Sequence, residues 1–265
     1  MILTNFHTHV ERCGHATGTE EEYIEEAIRC GFSEFGFSDH GPDPKDSMGY
    51  RMSWSEMEDY IDTVSLLKKR YAGRLVIYTG FEYEYSRGME RNFLRSVREN
   101  PDVDYFALGL HYFKNSEGDV ISSFNVRDKH DFKCYYRLFE EACESGMYSF
   151  FAHPDVVFMH LRSRSRHADA AIDAIVRCAV EHDMPLEINA NGMRRPLVEM
   201  DDGSERFAYP YRPFWDKAAE LGARVIIGAD CHCVEHLYDA RVHQAYQLAE
   251  AWNIEITPFS GKDLR

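Results

Sequence analysis

Histidines and carboxylates recur in this chain where short apolar runs finish, a placement that suits metal chemistry. The first run ends in NFHTH, which carries His7 and His9, and the second in GFSDH, with Asp39 and His40. TGFEYE supplies Glu82 and Glu84, LGLH supplies His111, and FFAHPD supplies His153 and Asp155. The last two runs close with EINANG, bearing Glu187 and Asn189, and GADCH, bearing Asp230 and His232. Two histidines at alternate positions of an extended strand face one side and can chelate a single ion. Chance placement of 13 histidines in 265 positions gives roughly 0.6 such pairs, so His-x-His alone is weak evidence. A ligand-type residue at the end of every run is harder to obtain by accident. Imidazoles with a few carboxylates suit zinc, iron or manganese better than calcium or magnesium. One four-coordinate ion cannot engage so many donors, whereas two or three clustered ions can, with a carboxylate such as Glu82 bridging a pair. Ions in that number outweigh the charges of Glu82 and Asp230, and the resulting cationic hole favours a compact anion such as a phosphate monoester.

These donors require a scaffold that gathers strand ends. The runs begin near Ile2, Glu34, Leu75, Asp104, Met147, Pro185 and Arg224, with helical spacing between them. Thr19 and Glu22 form a capping box before Tyr23, Ile24, Ala27 and Ile28, and Gly31 ends that helix. Ser53 and Glu56 open another that stops before Gly73, and the spacing predicts further helices over 90–100, 131–145, 168–181, 214–221 and 235–251. Strands alternating with helices imply parallel pairing. The number of units, and the lack of Gly-x-Gly-x-x-Gly after the first strand, favour a closed or nearly closed β/α barrel over a doubly wound open sheet. In a barrel the carboxyl ends of the strands converge on one face, where active sites lie.

The chain's size suggests that folding removes roughly 73% of the unfolded surface from water, enough for one domain spanning 1–265. Lys and Arg number 30 against 45 Asp and Glu, for a formal charge of −15. Such a chain repels polyanions, so no nucleic-acid partner is expected. No apolar stretch approaches a bilayer span and no basic-then-apolar leader is seen, so the expectation is a cytoplasmic protein without a membrane partner. The seven scattered cysteines read as reduced, packed thiols.

At NFHTH, CGHATGTEEEYIEEAIRCGFSEFGFSDHGP, GFEYEY, LGLHY, AHPD, EINANGMR and GADCH, in that order, the sequence resembles the PHP (polymerase and histidinol phosphatase) family of phosphoesterases. The segment from Cys13 to Pro42 is the most specific and points to the branch of monofunctional histidinol-phosphate phosphatases. The resemblance implies an α/β fold, a distorted (β/α)₇ TIM-like barrel, holding two or three divalent ions (zinc, iron or manganese). It implies that His7, His9 and Asp230 ligate the first metal, that Glu82 bridges to the second, and that His111 and His153 complete the second. His15, His40 and His232 match the third, and Arg194 matches an arginine on substrate phosphate. The implied reaction is hydrolysis of a small phosphorylated metabolite, L-histidinol phosphate, with a hydroxide bridging two metals as nucleophile. Glu82 and Asp230 serve that centre, and the proton for the leaving group comes from Asp39 or from an acid near the third metal.

Cys231 stands where a small residue is usual, and Leu110-His111-Tyr112 lacks the expected Ser or Val. Arg162 and Arg164 read either as a solvated loop or as a phosphate clamp. Asp39 and Asp155 read alternatively as carboxylates that orient a ligand. The tyrosines at 83, 85, 112, 209 and 211 read as pocket walls or as packing, and His130, His160, His167, His182, His236 and His243 as surface residues. Rival functions are a phosphatase for nucleotide or tyrosine phosphates, a metal-dependent amide hydrolase, and a PHP module without activity.

Overall fold

Punctuation residues set the helix ends in this computed structural model, which describes residues 3–45, 49–85, 89–126 and 128–264. The predicted strand start at Ile2 lies outside them. Thr19 caps α1 (Glu20–Cys30), its backbone N–H donating to the Glu22 carboxylate at 2.7 Å, and Gly31 ends the helix at φ 80°. Glu56 accepts from the Ser53 N–H at 2.8 Å and opens a 3₁₀ turn that leads into α2 (Met57–Arg70). The remaining helices are α3 (Met89–Arg98), α4 (Lys129–Ser145), α5 (Arg166–Glu181), α6 (Arg212–Leu221) and α7 (Ala240–Ala251). The last starts later than the predicted 235. Asp239 caps it by accepting from the N–H groups of Arg241 and Val242, and a separate 3₁₀ turn occupies Val234–His236.

Seven strands form one parallel sheet in sequence order: β1 (Thr4–Asn5), β2 (Glu34–His40), β3 (Val76–Tyr83), β4 (Tyr105–Leu108), β5 (Phe150–Phe151), β6 (Leu186–Asn189) and β7 (Val225–Gly228). Strictly sequential parallel order curls a sheet towards closure. Past the ends of β1 and β7, a parallel bridge joins Thr8 to Cys231, and the His9 N–H donates to the Cys231 carbonyl at 3.1 Å. The barrel is therefore nearly closed at the rim that carries the donors. At the opposite end the C-terminal segment fills the seam, with Thr257 N–H donating to Val225 O at 2.7 Å and Thr4 Oγ1 to Phe259 O at 3.0 Å. No helix among the described residues is long and apolar enough to cross a membrane.

Alternation along the strands sorts the side chains. Phe35, Phe37 and Phe81 pack with Tyr23, Ile24, Tyr60 and Val64 of α1 and α2 in the main core. Inside the barrel, Phe6, Tyr105, Phe150, Ile226 and Phe259 form a separate apolar plug. A cavity of about 370 Å³ lined by Phe6, Phe150, Ile226 and Phe259 reaches His7 and Glu187, and the buried polar side chains above the plug must satisfy one another or bind something.

Candidate metal centre

The strand ends bring the predicted donors together. Ligand atoms of His7, His9 and Asp230 lie within 4.8 Å of one another, as do those of His7, Glu82 and His153, of His40, Glu82 and His111, and of His9, His40 and His232. His15 joins from the loop after β1, its Nε2 lying 3.0 Å from His232 Nε2. Glu82 sits at the middle of the cluster. Its Oε1 is 2.9 Å from His153 Nε2, and its Oε2 is 3.1 Å from His40 Nδ1 and 3.5 Å from His9 Nε2. His40 therefore stands between Glu82 and the His15–His232 pair, and belongs as much to the Glu82 side as to the trio the resemblance implied. His153 (φ 34°) and Asp230 (φ 44°) adopt left-handed backbone, which costs a non-glycine residue about 1–3 kcal/mol and is concentrated at functional sites.

A polar framework behind the donors aims them. His9 Nδ1 is 3.3 Å from Asp39 Oδ1, and His111 Nδ1 is 2.9 Å from Glu84 Oε1. Glu187 lies against His7 Nδ1 at 2.8 Å. A carboxylate only accepts, so each of these Nδ1 atoms carries a proton, and Nε2 is the atom left to ligate a cation. Asn189 and Asn191 both donate to Asp230 Oδ2, at 3.0 and 3.2 Å, which turns Oδ1 toward the histidines.

Charge and burial divide the histidines. Burial opposes protonation of His7, but Glu187, Asp230 and Glu82 outweigh it and hold its pKa well above the ordinary value. For His9, burial is again overcome, by hydrogen bonds it donates to Asp230 and Asp39 and by the charge of Glu82, and the pKa rises to about 9. His40 and His232 go the other way, lowered by burial and by His9, the latter to about 3. Burial disfavours ionisation of Glu82, yet His111, His40 and His7 pull it well below the carboxylate range. The field of these carboxylates draws positive charge inward, and divalent cations would satisfy it better than protons.

Two observations fit that occupant. Glu82 Oε2 is buried without a hydrogen-bond partner. The Nε2 atoms of His7 and His9 stand 3.1 Å apart and without a cation must share a proton, which metal binding would displace. Above the donors opens a cavity of about 410 Å³, walled by Tyr50, Arg51, Tyr112, Phe124, Arg195 and Tyr209.

Several predicted residues lie elsewhere. Arg194 does not line the cavity. It donates to both oxygens of Asp239, at 3.0 and 3.1 Å, and to the carbonyls of Ala229 and His236. The 3₁₀ turn Ala190–Arg194 ends there, and the chain becomes extended at Arg195, so neighbouring arginines point apart and Arg195 enters the cavity. Its guanidinium carbon lies 4.9 Å from the Phe124 ring centroid, and its Nε is buried without a partner. Arg162 and Arg164 are exposed and pair with Asp201 and Asp169, away from the cavity, as the solvated-loop reading expects. Asp39 is fully buried and does not line the cavity, because adjacent residues of β2 face opposite sides and His40 takes the inner one. Its carboxylate stands behind His9, with Oδ1 3.3 Å from His9 Nδ1. Asp155 does not touch His153 through its carboxylate; it accepts from Tyr211 N–H at 2.6 Å and Trp215 Nε1–H at 2.8 Å, tying β5 to α6. Tyr112 and Tyr209 wall the cavity, whereas Tyr83 and Tyr211 are core. Cys231 is packed, its thiol pushed up to about 12 by burial, and Cys233 joins no ligand cluster among the described residues. Arg51, Arg195 and the bracing roles of Glu84 and Glu187 escaped the sequence reading; the repeated carboxylate two residues from another donor, Glu82-Tyr83-Glu84 and Glu187-Ile188-Asn189, was the available signal.

A nearly closed parallel barrel with a nine-residue cluster of imidazoles and carboxylates at its carboxyl rim is the architecture of a metallohydrolase. The PHP domain matches residues 5–191, and the chain belongs to that family. A Deinococcus radiodurans protein named "Probable histidinol-phosphatase" is 31% identical over 239 residues, covering 87% of this chain and 86% of that protein. The histidinol-phosphatase of Bacillus subtilis is 26% identical over 221 residues, covering 71% of this chain and 81% of its own. Among solved structures, a histidinol phosphate phosphatase from Lactococcus lactis, complexed with zinc, L-histidinol and phosphate, superposes with a TM-score of 0.71 at 17% identity over 100% of this chain and 99% of that one. At that identity the likeness is one of fold.

Proposed function

We propose that the protein is a metal-dependent phosphomonoesterase that hydrolyses L-histidinol phosphate to L-histidinol and inorganic phosphate. The observation that carries this reading is the Glu82-centred donor cluster on the floor of a cavity that Arg195 also lines, with its buried Nε left without a partner. Family membership and the names of the relatives supply the substrate. His7, His9, Glu82 and Asp230 would hold one divalent cation, Glu82 with His111 and His153 a second, and His15, His40 and His232 a third. The donor set fits zinc, iron or manganese. When bound, such ions lower the pKa of water to about 7 and neutralise charge on the phosphoryl group.

The protein's own residues do the rest. Arg195 is placed to grip phosphoryl oxygens with its planar fork, and the rings of Phe124 and Tyr209 hold that fork in position. Arg51 also lines the cavity, and its guanidinium lies 3.8 Å from Glu84, the carboxylate that orients His111. The aromatic walls form the side of the cavity available to the leaving alcohol and shed water from it. Asp39 keeps the proton on His9 Nδ1 and Glu84 that on His111 Nδ1, so both imidazoles offer Nε2.

The test is phosphate release by the purified protein from L-histidinol phosphate, nucleoside monophosphates and phosphotyrosine, before and after chelation. Histidinol phosphate should give the highest kcat/KM, with activity abolished by chelation and restored by added cation. Full activity in verified metal-free protein overturns the mechanism, and preference for another ester overturns the substrate.

A further inference from the structure

We propose that Glu187 is the positioning residue of the metal centre, one buried carboxylate to which ligands from three strand ends are referenced. The inference rests on reading the cluster as a metal centre. Glu187 lies on β6, faces the barrel interior and is fully buried. No arginine or lysine pairs with it among the described residues. Leaving a carboxylate in such a place costs several kcal/mol unless hydrogen bonds satisfy its oxygens. They are satisfied by two of the ligands, His7 and His153, and by Asn189, which holds a third.

The first contact is His7, whose Nδ1 stands 2.8 Å from Oε1 and 3.0 Å from Oε2. The acceptor-only carboxylate selects the Nδ1–H form and directs Nε2 at the cluster. The second is the backbone N–H of His153, which donates to Oε2 at 3.1 Å. His153 holds a left-handed φ of 34°, and this hydrogen bond offsets part of that strain while its Nε2 meets Glu82. The third contact runs through Asn189. Its amide nitrogen donates to Glu187 Oε2 at 2.8 Å and to Asp230 Oδ2 at 3.0 Å. An amide has two N–H bonds, so one serves each carboxylate, and Asp230 is held at a fixed offset from Glu187. Ligands from the ends of β1, β5 and β7 thereby share one reference on β6.

The neighbouring strand is shaped to admit it. Gly228 of β7 pairs with Asn189, and a Cβ there would fall 1.7 Å from Glu187 Oε1 and 2.5 Å from its Cδ. Any side chain at 228 would displace the carboxylate.

Glu187→Gln tests the chemistry at nearly constant volume. Glutamine offers one acceptor oxygen to three donors, and its NH₂ opposes whichever donor it meets. His7 is then driven toward the form protonated on Nε2, the atom needed for a cation. Zn²⁺ affinity, measured by competition with a chromophoric chelator, should fall about 10- to 100-fold, while circular dichroism of the metal-stripped variant stays that of wild type. Asn189→Ala leaves Glu187 on His7 and His153 but cuts its link to Asp230, together with the cap on Asn191 N–H, and should weaken Zn²⁺ less, on the order of tenfold. If Glu187→Gln does not fold, Asn189→Ala decides alone. Unchanged Zn²⁺ affinity in the folded variants overturns the positioning role while leaving the metal centre standing. A wild-type protein that binds no Zn²⁺ instead overturns the metal-centre reading on which the role rests.

Discussion

Adjacent arginines at 194 and 195 should respond to alanine in opposite ways. Arg195 carries a buried Nε with no partner, stands against Phe124 and Tyr209, and opens on the cavity. A hydrogen bond between charged groups contributes about 1.5–3 kcal/mol, so Arg195→Ala should lower kcat/KM for histidinol phosphate about 10- to 150-fold, with a small change in Tm. Arg195→Lys keeps the charge but loses the fork, and should recover only part of that loss. Arg194 is 11% exposed, its partner Asp239 is 21% exposed, and it also ties down two carbonyls. Breaking a buried ion pair costs about 3–5 kcal/mol, and partial exposure reduces this to about 2–4 kcal/mol. Because Asp239 also caps α7, Arg194→Ala should drop Tm by roughly 4–16 °C for a chain of this size, with kcat/KM of the folded fraction within a few-fold of wild type. Phosphate release and thermal unfolding, measured on the same preparations, check both. An Arg195→Ala enzyme with unchanged kcat/KM, beside a stable but inactive Arg194→Ala, would refute the geometric assignment.

Two further outcomes follow from the site. Gly109→Ala would bring a Cβ to 2.3 Å from Glu82 Oε1; the displaced carboxylate should cost metal content, read by elemental analysis, and a normal content would show that Glu82 is not the shared ligand. In metal-stripped protein, His9 has a pKa raised from 6.5 to about 9. Its contribution is therefore complete below pH 6.5 and is lost as pH rises through about 9, by up to about 3 kcal/mol. His232, lowered to about 3, acts oppositely and removes stability as pH falls below 6.5. Stripped protein should thus unfold most reluctantly near pH 6.5, and added Zn²⁺ should abolish the alkaline loss. Denaturation midpoints across pH 4–10 measure this, and a stripped protein that gains stability from 6.5 to 9 contradicts the charge balance drawn for His9.

The primary structure alone determined the order of elements and the identity of the donors. Period, capping boxes and glycine stops are local signals, which is why the helix between Thr19 and Gly31 and the strands carrying His40, Glu82 and Asn189 could be read directly. Strand-helix alternation then forced parallel pairing and placed the strand-end donors at one rim, whereas His15, in the loop after β1, was indicated by the family resemblance. Tertiary structure decided what depends on side-chain direction after a turn. Arg194 and Arg195 are equivalent on paper, and only the end of a 3₁₀ turn sends one to Asp239 and the other to the cavity. Asp39 and His40 are likewise neighbours that β2 sends to opposite faces. Glu187 was visible as a polar residue on a strand, but its contacts with His7 and His153 and its link to Asp230 span up to 180 residues of sequence. Partnerships of that range arise only when the barrel closes and a buried carboxylate must find its donors.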